Sequence, residues 1–595
     1  MMRTINGGLT RTQGRSWQRQ PWRPGAGRAL WIVAVGCFAW TSSQTFAAEK
    51  NDSSDKDGLK AASSSAISDD DVIKFINAQI RQGWTDAEIS PSPEATDNEW
   101  CRRLFLDVVG RVPTVDEMQA FLSDKSRDKK AKLVDRLLDS DEYVEEYARN
   151  WTTHWTNLLI GRPKTARDEA RDLIDRDGMQ QYLRRTFLTN KPYDKMVYEL
   201  VSATGANKPG EDEYNGAVNF LLDNLQENAT TATAKTARYF LGMQVQCTQC
   251  HNHPFNDWKQ DQFWGMNAFF RQTTALRTFE GREIASARLE NEDFAGEGTD
   301  PKEAEIYYEL RNGILQVAYP TFVDGTTIDP SGYADEVNRR EELAKLIVKS
   351  EYLGLAIVNR MWAHFLGYGF TKPIDDLGPH NAASHPALLN YLGEQFSAKG
   401  HDLRRLIRWI TLSEPYSLSS RFGKRVAKNG SDDPTLGVKP MFSHFYVRQM
   451  QAEELYESLL VATEAHKTKG SYQDQEKTKG DWLRQFTLAF GTDEGDETTT
   501  FNGTIPQALM MFNGELVKKA TSAEQGSFLY KIATGDMKPH ARIDYLYMAA
   551  LGRRPSSKEM RLANDLLVAR RGDAVAAMQD VWWALLNSNE FILVH

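Results

Sequence analysis

The sequence predicts a mainly α-helical protein in two helical halves, separated by a small insert that contains a β-hairpin. Apolar residues recur at helical spacing over most of the chain, starting with Val72, Phe75, Ile76 and Ile80. The same pattern continues far downstream, for example over residues 388–396. Stretches rich in glycine and charge near residues 420–440, 466–482 and 492–504 are expected to be loops.

One segment departs from the helical pattern. Residues 305–324 read EIYYELRNGILQVAYPTFVD, which is two runs rich in β-forming residues around Asn312-Gly313. Asn-Gly between apolar runs is the strongest short-range signal for a hairpin. We therefore expect a β-rich insert at residues 275–335, between an N-terminal helical domain at 72–274 and a C-terminal helical domain at 336–595.

The N-terminus has the order of an export signal. Six arginines and no acidic residue occupy the first 28 positions, an apolar run spans residues 29–40, and small residues follow up to Ala48. Twelve apolar residues are too few to cross a bilayer, which takes about 20. We predict a signal peptide at residues 1–47, a disordered linker at 48–71, and an exported protein, periplasmic or at the cell surface, with no transmembrane segment after signal removal.

Charge and cysteine content narrow the class of protein further. Loss of the six leader arginines takes the net charge from −9 to −15, which is unsuited to binding nucleic acid. Three of the 4 cysteines lie after the leader, too few for a scaffold held together by disulfides. Cys101 is expected to be a buried thiol that behaves as a small apolar residue.

The most informative segment is Cys247-Thr248-Gln249-Cys250-His251, a Cys-x-x-Cys-His run typical of haem c attachment. In that reading both thiols bond to the porphyrin and His251 is the proximal iron ligand. Residues 232–249 look helical, which would place both thiols on one face, and Pro254 is expected to end that helix. Haem also needs a hollow with an apolar wall. Six aromatic residues nearby either form that wall or are ordinary core: Phe255, Trp258, Phe263, Trp264, Phe269 and Phe270.

Two other interpretations of this motif remain open. Zinc or another divalent metal would use Cys247 and Cys250 with His251 or His253, but zinc takes four ligands and no second cysteine pair follows. A Cys247–Cys250 disulfide, structural or redox-active, needs nothing more. If haem is bound, the formal candidates for its sixth ligand are His154, His253, His364, His380, His385, Met243 and Met266. His253 is too close to His251 for that role, and is expected to orient a propionate or cap the local backbone.

A second polar cluster lies in the C-terminal half. Asp375, Asp376, His380 and His385 fall within a short stretch and are weaker candidates for metal binding or acid–base chemistry. The alternative is structural, because Ser384 and Pro386 are suited to the start of a helix. The chain has no Gly-x-Ser-x-Gly, His-Glu-x-x-His, phosphate-loop or dinucleotide signature.

The two ends of the chain contain a related motif. Each copy has a helix, a glycine followed by arginine, and a Thr or Ser with Glu three residues later, in the segments 110–117 and 552–559. The last pair is a capping box, which satisfies the free N–H groups at the start of a helix. The repeat is either a shared helix-turn-helix packing device or a binding unit used twice.

Four segments together resemble one family. They are CRRLFLDVVGRVPTVDEM, CTQCHNHPFNDWKQDQFWGMNAFF, NRMWAHFLGYGFTKPIDDLGPHNAASHPALLNYL and RIDYLYMAALGRRP, spread in order over residues 72–595. The chain resembles the exported planctomycete pair of domains of unknown function, a cytochrome-like N-terminal domain followed by its associated C-terminal domain. The resemblance implies a bacterial envelope protein in which Cys247, Cys250 and His251 match the haem-like motif. Many relatives have a cysteine before the segment matching 506–509; residues 493–498 have none, so no role tied to it is carried over.

Together these observations predict a c-type cytochrome-like envelope protein that binds one haem and acts in electron transfer. Its expected partners are redox proteins or polymeric carbohydrate, with a possible link to polymer breakdown outside the cell. One alternative is a non-haem structural or substrate-binding protein with a Cys247–Cys250 disulfide. The other is a metal-dependent hydrolase that uses the 375–385 cluster.

Overall fold

Helices make up most of the chain in a computed structural model, which describes residues 67–162, 173–298, 300–421, 432–465, 471–491 and 504–595. The mainly α prediction is confirmed. The predicted signal peptide and almost all of the predicted linker lie outside the described residues. None of the helices in the described ranges is both long and apolar enough to cross a membrane.

The helices before the β insert begin earlier than expected. Ser68 and Asp71 form a capping box, so the first helix starts at Asp69 rather than at Val72. The helices of this half are Asp69–Asp86, Asp97–Val109, Val115–Ser123, Lys129–Asp139, Val144–Ile160, Arg176–Leu188, Tyr193–Ser202, Asn219–Leu222, Gln226–Leu241 and Gln260–Asn267. Short 3₁₀ turns lie at Gly216–Val218, Gln246–Gln249 and Ala268–Phe270.

The second helical half follows the insert. Its helices are Arg339–Lys349, Glu351–Leu366, Pro386–Ala398, Leu403–Thr411, Ala452–Thr463, Tyr472–Phe490, Ile505–Asn513, Glu515–Ala520, Phe528–Thr534, Pro539–Leu551, Ser557–Ala569, Ala574–Leu586 and Asn589–Ile592. Further 3₁₀ turns lie at Pro301–Glu303, Pro415–Ser417 and Pro434–Leu436.

The loop expected at 466–482 is wrong over the part that the structure describes. A helix spans Tyr472–Phe490, and Ser471 and Asp474 form its capping box. Its first half is polar and exposed, which is why the sequence looked like a loop there. Its burial comes from a narrow stripe containing Trp482, Phe486 and Phe490. Of the loops expected near 420–440 and 492–504, residues 422–431 and 492–503 fall outside the described residues.

The β structure is small and antiparallel. Strand β1 (Gly205–Ala206) pairs with β3 (Glu283–Asn291), which also pairs with β2 (Thr273–Glu280). Strands β4 (Ile306–Glu309) and β5 (Leu315–Ala318) form the hairpin predicted around Asn312-Gly313. Strands β6 (Arg448–Gln449) and β7 (Leu593–Val594) form a further pair. Because β1 comes from the N-terminal half, the insert is attached to that half by backbone hydrogen bonds.

Two buried arginines connect the N-terminal half to the end of the chain. Arg102 donates to the carbonyl oxygens of Ala550 (2.9 Å) and Phe591 (2.8 Å). Arg103 donates to the carbonyl oxygens of Leu418 (3.0 Å) and His595 (3.2 Å). A buried guanidinium is costly unless its N–H groups are paired. These contacts therefore hold the two halves together, and both halves contribute to one continuous hydrophobic core.

The repeated motif builds the same local structure twice. Arg111 donates two 2.9 Å hydrogen bonds to Glu117, and Arg553 donates bonds of 3.0 and 2.8 Å to Glu559. The preceding glycines end their helices with φ of 75° and 68°. Asn98, on the helix before the first copy, donates to the carbonyl of Gly552 in the second. The geometry supports the packing interpretation, because the features shared by the two copies face other parts of the chain.

The two copies differ in burial and provide a matched test. Glu117→Gln should lower the free energy of unfolding by about 3 kcal/mol, since it leaves the buried Arg111 partly unpaired. Glu559→Gln should cost about 1 kcal/mol or less, since both partners are more exposed. Urea denaturation followed by circular dichroism at pH 7 measures both. Equal losses, or a larger loss for Glu559→Gln, would contradict this assignment.

The same pair predicts a pH dependence. Burial alone would raise the pKa of Glu117, but its hydrogen bonds and ion pair with Arg111 outweigh burial and hold that pKa at about 2. A carboxylate whose pKa is lower in the folded state than in the unfolded state stabilises the folded protein when the pH is above the unfolded-state pKa. This contribution is lost as the pH falls toward 2. The difference in free energy of unfolding between wild type and Glu117→Gln should therefore be largest above about pH 5. It should be smaller in urea denaturation series at pH 4 and pH 3.

Candidate functional site

The helix that leads into the Cys-x-x-Cys-His motif is shorter than predicted. It spans Gln226–Leu241 and ends at Gly242, which has φ 67° and ψ 33°. A Cβ at this position would lie 2.7 Å from Cδ1 of Leu377, so glycine is required by both conformation and space. The prediction of a helix through Gln249 is therefore wrong. The motif instead begins in the 3₁₀ turn Gln246–Gln249.

Hydrogen bonds to the middle of this turn fix its position. The buried Thr248 donates from its backbone N–H (2.9 Å) and from its hydroxyl (2.6 Å) to the carbonyl of Val245. The carbonyl of Gln249 accepts from Nε2 of Gln260 (3.2 Å) and from Nε1 of Trp264 (3.1 Å). The sequence analysis missed Thr248 and Gln260 as positioning residues, because their role depends on contacts that spacing alone does not encode.

Both motif thiols are exposed and free in the structure. Cys247 lies in the 3₁₀ turn and Cys250 directly follows it, and a spacing of three residues in such a turn brings side chains to the same side. The expected common face is thus produced by a different element from the one predicted. Cys101 is buried, as predicted, and burial raises the pKa of its thiol well above the ordinary value.

His251 is oriented by its neighbour. Its Nδ1 lies 2.7 Å from the carbonyl oxygen of Asn252, which can only accept a hydrogen bond. Nδ1 must therefore carry the proton, and the neutral ring keeps a lone pair on Nε2. Histidines that ligate metals typically donate their other ring N–H to a backbone carbonyl or a carboxylate. Two accessible thiols and this nitrogen are a donor set that fits haem c.

His253 has the local structural role that the sequence suggested for it. Its Nδ1 accepts from the backbone N–H groups of Phe255 (3.3 Å) and Asn256 (3.1 Å). The backbone N–H of His253 donates to the carbonyl of Trp258 (2.8 Å). His253 therefore closes the loop that follows the motif, and its Nδ1 is already occupied.

The six aromatic residues after the motif differ in burial, and Trp258 and Trp264 are half-buried. Phe263, Phe269 and Phe270 are buried in the hydrophobic core and cannot face a group attached to the thiols. Phe255 is 85% exposed, and its ring centroid lies 6.3 Å from that of His253. Covering this exposed apolar ring beside the motif would be favourable, because it would remove apolar surface from water.

The hollow with an apolar wall that was expected for haem is not formed around the motif by the described residues, which leave both thiols on the surface. Three cavities of about 500, 610 and 740 Å³ lie elsewhere, and none of these three is lined by Cys247, Cys250 or His251. Met243 and Met266, two candidates for a sixth iron ligand, are fully buried in the core. Any group bound by the motif must therefore sit on the outside of the fold.

The predicted 375–385 cluster is divided into three separate sites. Asp375 is buried and accepts from Nε of Arg238 (2.7 Å) and from Arg360. Asp376 and His380 form their own pair, with Oδ1 and Nε2 2.9 Å apart. Within the described residues, no group of three or more His, Cys, Asp or Glu side chains is arranged to hold a metal ion.

His385 is packed separately from the other members of that cluster. Its Nδ1 lies 3.0 Å from the hydroxyl of Ser384, and burial lowers the pKa of the ring to about 4. A Cβ on Gly83 would lie 2.5 Å from its Nε2, so only glycine leaves room for the ring. His385 is therefore a neutral core residue.

Comparison with known proteins identifies two domains. Residues 75–275 match the PSCyt2 family, described as a protein of unknown function (DUF1549). Residues 339–567 match the PSD1 family, described in the same words (DUF1553). The order of the two agrees with the resemblance found in the sequence. No curated protein and no solved structure matches the chain.

The exposure of the motif predicts its reactivity. In folded protein made without residues 1–47 and without haem, and first reduced with the reductant then removed, two thiols should react rapidly with Ellman's reagent, and the third only after unfolding. Cys247→Ser and Cys250→Ser should each remove one fast-reacting thiol. Fewer than two fast-reacting thiols in the parent protein would show that the turn is not exposed as described. So would two fast-reacting thiols that persist in both variants.

Proposed function

We propose, from the premise that this chain belongs to the planctomycete family in which a PSCyt2 domain precedes a PSD1 domain, that it is an exported electron-transfer protein. It would carry one haem c on Cys247, Cys250 and His251. The observation that carries this proposal is the motif's geometry. Two free thiols leave one side of an anchored turn, next to an imidazole whose Nε2 keeps its lone pair.

Each motif residue has a defined task in this proposal. The thiols of Cys247 and Cys250 would each add across a vinyl group, forming a C–S bond while the thiol hydrogen passes to the other vinyl carbon. Nε2 of His251 would face the iron, and the Asn252 carbonyl would keep its ring in that tautomer. Bound haem would supply a one-electron redox couple.

The surface position favours exchange with another protein. A group attached to exposed thiols keeps one edge accessible, and Phe255 offers an apolar contact beside it. The leader-like N-terminal sequence supports export, and covalent attachment of haem c occurs outside the cytoplasm. We infer that its partners are redox proteins or polymeric carbohydrate outside the cell.

A second candidate function follows from the same thiols. Two exposed thiols three residues apart are suited to forming a reversible disulfide in an oxidising compartment. This candidate uses Cys247 and Cys250 but gives His251 no role as a ligand. Haem content therefore separates the two.

The test is expression with an export signal in cells that contain c-type cytochrome maturation proteins, alongside a known cytochrome c as positive control. The parent protein should hold about one haem that survives acid-acetone extraction, measured as the pyridine haemochrome. Cys247→Ala and Cys250→Ala should each keep haem through one thioether, with the absorption band at longer wavelength. The double variant should lose it.

Two histidine variants complete this test. His251→Ala should remove the iron ligand and abolish or strongly reduce haem retention. His540→Ala, at an exposed histidine far along the chain, is the matched control and should retain haem as the parent does. A parent protein without covalent haem, in cells that mature the positive control, would overturn the proposal and leave the dithiol function.

A further inference from the structure

Two histidines that are 210 positions apart in the sequence meet inside the protein. His154 lies on the helix Val144–Ile160 and His364 on the helix Glu351–Leu366, with ring centroids 4.9 Å apart. The ring of Trp151 lies 5.1 Å from that of His364. His154 and His364 were both formal candidates for the sixth haem ligand. In the structure their imidazole rings contact each other.

Several buried donors lack a hydrogen-bond partner on the two helices that carry this pair and on Tyr193, which packs against Trp155. Among the described residues none pairs with Nε1 of Trp151, Nε1 of Trp155, the hydroxyl of Tyr193 or Nε of Arg360. All four residues are more than nine-tenths buried, and the rings of Trp155 and Tyr193 lie 5.7 Å apart. Leaving a buried donor unpaired costs about 1–3 kcal/mol, so a concentration of them requires an explanation.

The two imidazoles present different atoms. Nδ1 of His154 lies 3.5 Å from Nε2 of Gln451, which donates, so in this pairing Nε2 of His154 carries the proton. His364 is hydrogen-bonded to the backbone carbonyl of Asp107, while its Nε2 has no partner among the described residues. The proton of His364 is therefore on Nδ1, and its Nε2 is an acceptor.

We propose that His154, His364, Trp151, Trp155, Tyr193 and Arg360, here called the two-histidine cluster, bind a small oxyanion that also carries a hydroxyl group. The oxygens of the anion would accept from the unpaired Trp, Tyr and Arg donors. Its hydroxyl would donate to Nε2 of His364. A phosphate group has both features at neutral pH, whereas sulfate lacks the hydroxyl. This inference does not depend on haem.

Both imidazoles of the cluster are neutral at pH 7. Burial, together with the charges of Arg360, Arg162 and Arg448, lowers the pKa of His154 to about 3. Burial, His154 and Arg448 also hold the pKa of His364 well below its ordinary value. Each of these arginines is paired with a carboxylate (Arg360 with Asp375, Arg162 with Glu453, Arg448 with Asp107), so the preference for an anion comes from the unpaired N–H and O–H donors, which a cation cannot use.

The cluster reaches the protein surface on one side. His154, His364 and Gln451 keep part of their surface accessible. Near this opening, Glu453 accepts from Nδ2 of Asn157 (3.0 Å) and from Nη2 of Arg162 (2.9 Å). The imidazole edges are therefore the part of the cluster that a ligand from solvent would meet first.

Isothermal titration calorimetry tests the proposal. It measures binding of inorganic phosphate and of sulfate to the full mature protein at pH 7 and constant ionic strength. Phosphate should bind with millimolar affinity or better, and sulfate more weakly. His364→Gln should weaken phosphate binding by about tenfold and leave sulfate binding nearly unchanged, since only phosphate donates to Nε2. His540→Gln, an exposed histidine, should bind both as wild type does.

A second variant keeps the test decisive if His364→Gln does not fold. Trp155→Phe preserves an aromatic ring but removes one donor, and should weaken phosphate and sulfate equally. Absence of phosphate binding by wild type would overturn the proposal. So would phosphate binding that neither variant weakens, or tighter binding of Zn²⁺ than of phosphate at this cluster. Haem loading has no bearing on any of these outcomes.

Discussion

The hydrogen bonds that Gln249 receives from Gln260 and Trp264 decide what the Cys-x-x-Cys-His segment can do. Thr248 is buried, whereas Cys247 and Cys250 face solvent. Chemistry at this motif therefore takes place on the outside of the fold. Such a position suits covalent attachment of a cofactor that keeps an exposed edge, or exchange with another protein. It does not suit a reaction that requires an enclosed pocket.

The two matched domains behave as parts of one structure. Arg102 and Arg103, on a helix of the PSCyt2 match, donate to carbonyl oxygens contributed by the C-terminal half. His154 and His364 belong to different domains and meet in the same way. Separating the domains would leave these guanidinium and imidazole groups buried without partners, or exposed. The pairing of the two domains in sequence order therefore has a physical reason, since each completes the interior of the other.

Local signals in the sequence predicted local structure well. Asn312-Gly313 forms its hairpin, both Arg-Glu capping motifs recur in three dimensions, and Cys101 is buried. Features that depend on distant neighbours were not predictable. Gly242 ends its helix where Leu377 leaves no space for a side chain, and Asp375 is taken up by two arginines rather than by a metal. The turn that carries the thiols, and the meeting of two histidines far apart in sequence, follow from tertiary packing. No periodicity or spacing in the chain encodes them.

The central claim is that Cys247 and Cys250 carry a covalently bound haem in the mature protein. Intact mass spectrometry of the protein purified from its native source, followed by peptide mapping, tests this most directly. We expect the added mass of one haem, located on the peptide that contains residues 247–251. An unmodified peptide, or one shortened only by the two hydrogens of a disulfide, would contradict it.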